Sequence, residues 1–205
     1  MELEAYLDRL ASASAAPGGG SAATIVAAYG AALVAMVARI TLANVKFSGV
    51  HGLATELVDK SDRLRARSLA ERADDEAAYG DVMHAMALPK DTAERKAERT
   101  SRLQTALAGA AAAPLRAAET AKLVAVLAER ALALGNKNLE SDLGAAAEFA
   151  QAALNVAASN VRTNHALMKD RDLVARDERT LERYESETAP LVKRVRFEVS
   201  RSIAT

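Results

Sequence analysis

The chain has 205 residues, half of them apolar but only 3% aromatic, with no Trp and no Cys. That length fits one domain with an ample core, and the missing cysteines exclude disulfides, thiolate nucleophiles and cysteine-ligated metals. Lys plus Arg and Asp plus Glu both number 27, so the formal charge is zero and the basic excess of a nucleic-acid binder is absent. Alanine, the strongest helix former, occupies 49 positions. Side chains this small predict long helices packed closely, and a second subunit to cover an apolar face.

Residues 2–12 predict a short amphipathic helix with Leu3, Leu7 and Leu10 on one stripe. The acidic start Met1-Glu2-Leu3-Glu4 lacks the basic-then-apolar order of a secretory leader, so a cytoplasmic protein is expected. Pro17-Gly18-Gly19-Gly20-Ser21 comes next, and its glycines let another group approach the main chain closely. Ser21 is the expected N-cap of the following helix, whose free N–H groups and dipole favour polar or anionic neighbours. This loop reads either as a tight turn between packed helices or as a small-molecule site. It lacks the Lys and Ser/Thr spacing of a nucleotide P-loop.

A helix over 21–47 is apolar nearly all round, as befits one surrounded by other elements. Its run from Ala22 to Ala38 is nearly half alanine, which predicts a buried helix rather than a membrane span. Gly49 to Gly52 breaks the chain before a charged amphipathic helix over 53–87. Leu88-Pro89-Lys90 ends that helix, and Asp91 or Thr92 caps the next. Helix 92–112 is kinked or restarted at Pro114 and runs to Leu134, with Gly135 as C-cap. A polar loop, Asn136-Lys137-Asn138, leads to helices over 139–168 and 171–203. No segment alternates as a strand does. The expected architecture is all-α, a single-domain bundle of long helices over 1–205.

The chemistry falls to carboxylates, amides and three histidines. His51, His84 and His165 show no metal-ligand spacing, and no metal is predicted. Asp74-Asp75-Glu76 lies mid-helix, where adjacent aspartates are poor helix formers. Asp75 shares a face with Tyr79, continued by Val82 and Met86, so it either looks inward as a proton-transfer group or belongs to a solvated patch paired with Arg72 or Lys90. Asn160 and Asn164 share another face, with Asp170 close behind, as ligand contacts or as an interhelical network. Ser141-Asp142 is either an acidic N-cap or a ligand contact.

Taken in order, these pieces resemble the cyclodeaminase/cyclohydrolase family, which includes the C-terminal domain of formimidoyltransferase-cyclodeaminase and stand-alone methenyltetrahydrofolate cyclohydrolases. The resemblance rests on Ala16 to Ser21, Gly30 to Ala38, Asp75 with Tyr79, Leu88-Pro89-Lys90, Pro114-Leu115, Gly135-Asn136, Ser141-Asp142 and Asn160-Val161 with Asn164. It spans roughly residues 5–172.

It implies an all-α homodimer that binds folate near the subunit interface and needs no cofactor beyond its tetrahydrofolate substrate. It makes Asp75 the catalytic acid–base, and it departs from the family at Ala77, where a Glu is usual, and in the weakly basic stretch Ala43 to Phe47. In this reading Gly18, Gly19, Gly20 and Ser21 hold the pterin or benzoyl group. Lys46 and Lys90 attract the glutamate carboxylates, while Asn136, Asp142 and Asn164 bond the pterin edge. The expected reaction is hydrolysis of 5,10-methenyltetrahydrofolate to 10-formyltetrahydrofolate. The alternatives are cyclodeamination of 5-formiminotetrahydrofolate and a non-catalytic folate-binding dimer, with no nucleic-acid or membrane partner.

Overall fold

Six α-helices carry nearly all of the chain in the computed structural model, which describes residues 2–203. Met1, Ala204 and Thr205, part of the predicted 1–205 domain, lie outside the described residues. The helices are α1 (Leu3–Leu10), α2 (Gly19–Leu42), α3 (His51–Ala87), α4 (Ala93–Ala131), α5 (Glu140–His165) and α6 (Arg171–Ile203). No strand occurs among the described residues.

Helix α2 is the centre of the bundle and packs against α3, α4 and α5, while α6 covers α4 and α5. Alanine makes this packing possible: Ala31, Ala38, Ala111, Ala118, Ala121, Ala125, Ala146, Ala147 and Ala150 are fully or almost fully buried, with Val34, Leu57, Val124 and Leu143 filling the gaps. By length and composition α2 is a helix that could cross a membrane, yet 56% of its most apolar stretch is buried inside the bundle. Its outward side keeps Tyr29 and Ile40 exposed, beside Phe149 and Val156 of α5.

Several element boundaries differ from expectation. Helix α2 starts at Gly19 and stops at Leu42, because Asn44 turns extended and its side chain caps a 3₁₀ segment, Val45–Val50. Ser21 is therefore not the N-cap; Gly18 is. Gly135 does end its helix in the left-handed conformation, φ 66°. Helix α1 buries Tyr6 (2% exposed) and leaves Leu3 and Leu7 about half exposed, so the leucine stripe is not its packing face.

Pro114 neither breaks nor restarts the chain, since α4 runs unbroken through it. A proline has no N–H to give the carbonyl four residues back, here that of Ala110. The Asn164 Nδ2 of α5 donates to that Ala110 carbonyl at 2.8 Å, which supplies the missing bond.

Candidate active site

The glycine bend, the C-terminal third of α3, the middle of α4 and the last turns of α5 enclose a cavity of about 450 Å³. Asp75 and Glu76 enter it from α3, Gly18 to Gly20 from the bend, and Asn160, Thr163 and Asn164 from α5. Tyr79, Val82, Met83 and Met86 continue along α3, and with Leu107 and Leu167 they form an apolar wall. Two adjacent carboxylates thus face a largely apolar surface at a helix N-terminus.

Asp75 sits so close to the bend that a Cβ on Gly20 would lie 2.4 Å from its Oδ1. A side chain there would displace the carboxylate from its place against the bend. The Ser21 main-chain N–H donates to the Asp75 carboxylate, so an acid from α3 completes the first turn of α2. Burial pushes the Asp75 carboxyl above its ordinary value of 3.8, the Ser21 bond opposes this, and the neighbouring Glu76 charge adds to it. No cation offsets the rise. A carboxylate raised by burial and facing a cavity suits proton transfer.

Its neighbours behave otherwise. Asp74 points away and pairs with Arg116 of α4 at 3.1 Å. Glu76 is bonded by Arg72 at 2.6 Å, Arg9 at 2.8 Å and the Ser21 hydroxyl at 3.1 Å. Burial works against its ionisation, but the Arg9 and Ser21 bonds hold its carboxyl below the usual range. The acidic triplet therefore contains two ion-paired carboxylates and one unpaired one.

Both asparagines spend Nδ2 on main-chain carbonyls: Asn160 on Val156, and Asn164 on Ala110 and Asn160. None of these bonds uses an Oδ1 acceptor. Thr163, Met83 and Leu167 were not among the predicted contacts, and Asn160 was a candidate without an assigned role. Asn160 carried a signal in its four-residue spacing to Asn164, whereas the other three read as ordinary helix residues.

The predicted contacts divide by position. Gly18, Gly19, Gly20, Asp75 and Asn164 line the cavity. Ser21 is fully buried behind it, so its hydroxyl is not a ligand contact. Lys90 stands exposed in the turn after α3, outside the lining. Lys46, Asn136 and Asp142 belong to the other end of the bundle. Asn136 donates to Thr41 Oγ1 at 3.1 Å, near the end of α2, and the rise of a helix puts that about 30 Å from Gly20. Asp142 opens α5 and Asn164 nearly closes it, so the two cannot hold one pterin edge from the same chain.

A larger groove, about 900 Å³, lies at that far end between α4 and α6. Arg194 on its wall pairs with Glu129, and Arg130 with Glu56. No predicted contact lines it. Among the described residues no group of three or more His, Asp or Glu side chains is placed to hold a metal ion.

Fold and cavity together define an all-helical protein whose cavity is faced by one unpaired, half-buried carboxylate. The formiminotransferase-cyclodeaminase family profile matches residues 2–183, and the chain belongs to that family. A methenyltetrahydrofolate cyclohydrolase of Methylorubrum extorquens is 39% identical over 94% of this chain and 93% of its own length. The formimidoyltransferase-cyclodeaminase of Rattus norvegicus is 34% identical over 82% of this chain, which spans about a third of that longer protein, 31%. The crystal structure of formiminotetrahydrofolate cyclodeaminase from Thermotoga maritima superposes with a TM-score of 0.90, at 27% identity, over 99% of this chain and 98% of its own.

Proposed function

We propose that the protein hydrolyses 5,10-methenyltetrahydrofolate to 10-formyltetrahydrofolate, with Asp75 as the acid–base. The observation that carries this is the unpaired, half-buried Asp75 carboxylate held against the first turn of α2 inside the cavity. The methenyl carbon bridges N5 and N10 in a cation, which a carboxylate and two amide oxygens attract in a poorly hydrated site. The apolar wall of Tyr79, Met83, Met86 and Leu107 suits the flat benzoyl and pterin rings.

Water attacks the bridging carbon while Asp75 accepts one of its protons, giving a neutral carbinolamine. The C–N5 bond then breaks as Asp75 returns that proton to N5. The hydroxyl proton leaves to solvent, and the carbon remains on N10 as a formyl group. One carboxylate serves as base and then as acid. The 39% identity to a cyclohydrolase over both nearly full lengths supports water as the nucleophile. The Thermotoga likeness supports a second reading, attack of N10 on a formimino carbon with loss of ammonia. Ammonia release from 5-formiminotetrahydrofolate, set beside methenyl hydrolysis, separates the two.

The working unit in this reading is a homodimer joined through the outward face of α2 and α5. Tyr29, Ile40, Phe149 and Val156 mark that face. A two-fold axis crossing the middle of α2 lays the two copies antiparallel. It brings the Lys46, Asn136 and Asp142 end of one copy to the cavity of the other. Lys90 and the partner copy's Lys46 then meet the glutamate carboxylates.

Replacing Asp75 by Asn tests the reading. Decay of methenyltetrahydrofolate absorbance should slow about 10²–10⁴-fold while substrate still binds. The wild-type rate should fall on acidification through a value above 3.8. A raised carboxyl also weakens the fold as pH rises through its folded value, so Asp75→Asn should melt higher at neutral pH, with the gap closing below pH 3.8. Undiminished turnover in the variant refutes the assignment.

A further inference from the structure

We propose that helix α1 is part of the catalytic apparatus: Tyr6 and Arg9 are positioning residues that lock Ser21 and Glu76 behind Asp75. The inference rests on Asp75 being the catalytic carboxylate.

What docks α1 is polar. Its leucines at 3 and 7 stay half exposed, while Tyr6 is buried with its hydroxyl 3.0 Å from Ser21 Oγ. The Ser21 hydroxyl donates to Glu76 Oε1, so the Tyr6 hydroxyl is the donor to Ser21. Arg9, one turn on from Tyr6, donates to Glu76 Oε2. Each hydroxyl in this chain points in one direction, and each Glu76 oxygen has a charged partner.

Ser21 links this chain to the reacting group. Its hydroxyl holds Glu76 and its main-chain N–H holds Asp75, so two successive carboxylates of α3 are tied to one residue at the start of α2. The groups facing Glu76 are Arg9 from α1, Ser21 from α2, and Arg72 and Asp75 on its own helix; Arg116 of α4 is taken by Asp74. Arg9 is the contact that reaches in from solvent, and without it Glu76 keeps one cation instead of two. A Glu76 free to swing toward Asp75 crowds a carboxylate that burial already disfavours. A slack Ser21 lets the Asp75 oxygen drift from the attacking water. Displacements of this kind lower the chemical step more than binding.

The test uses the full chain with Tyr6→Phe, Arg9→Gln and Arg9→Lys. Tyr6→Phe and Arg9→Gln should lower kcat per folded molecule about five- to fifty-fold with KM within about twofold. Arg9→Lys should recover at least half of the loss. A kcat unchanged in both variants, or a loss accounted for by unfolded protein in circular dichroism, overturns the proposal. Amide hydrogen exchange at Ser21 gives a readout independent of turnover, expected about tenfold faster in Arg9→Gln while the middle of α2 is unchanged. Faster Ser21 exchange in Arg9→Gln, together with a wild type that fails to hydrolyse methenyltetrahydrofolate, leaves the lock standing and removes the folate reading instead. Unchanged Ser21 exchange removes the lock.

Discussion

Gly20 and Asp75 compete for the same space. A glycine at the second position of a helix ordinarily costs about 1 kcal/mol relative to alanine. Here the alanine Cβ would meet Asp75 Oδ1 at 2.4 Å and Oδ2 at 2.8 Å, but no main-chain atom. The carboxylate is the end of a rotatable side chain, so it yields and the helix does not. Gly20→Ala should therefore melt at or above the wild-type temperature while kcat falls at least about tenfold, given how steeply catalysis depends on placement. A parallel melt and absorbance assay decides it, and an unchanged kcat contradicts it. The glycine run is visible in the sequence, but its cause is not. The group that demands Gly20 lies 55 residues away on another helix.

Among the elements, α4 and α5 depend on each other through Pro114. Local rules say that proline ends a helix, and the tertiary contact with Asn164 overrides them. Asn164→Ala leaves the buried Ala110 carbonyl without a donor, which should cost about 1–3 kcal/mol. In a Pro114→Ala background the new main-chain N–H takes over, and the same Asn164→Ala change should cost less than half as much. Equal losses in both backgrounds, from denaturant midpoints, break the link. Asn164 makes the interhelical bond of one reading and lines the cavity that the other reading requires. Periodicity placed that stripe on one face correctly. It could not show that Ser21 turns away from the ligand, because burial of a hydroxyl depends on Tyr6 and Glu76 arriving from elsewhere.

The bundle as a whole has two chemically different ends. Asp75 sits at one and Asp142 at the other, separated by most of the length of α5. If an antiparallel dimer joins them into one site, Asp75→Asn and Asp142→Asn proteins are each inactive but complement one another. Random exchange of subunits makes half the dimers mixed, each with one intact site, so activity should return to about a quarter of wild type. No recovery on mixing, with sedimentation confirming exchanged dimers, rules out the shared site.

Helix content and the order of the elements were legible from residue order, because propensity, capping and the 3.6-residue period act over a few neighbours, whereas the choice of Asp75 as acid–base candidate came from the family resemblance. The family resemblance carried the folate chemistry the same way. Which contacts meet at one cavity was settled only by packing. A helix of 24 residues is about 36 Å long, and sequence spacing does not say which of its ends a distant side chain will reach. Asp75 gains its raised carboxyl, its Ser21 bond and its glycine neighbour only when α3 crosses the start of α2. Desolvation and close approach belong to the assembled core and to no single segment of it.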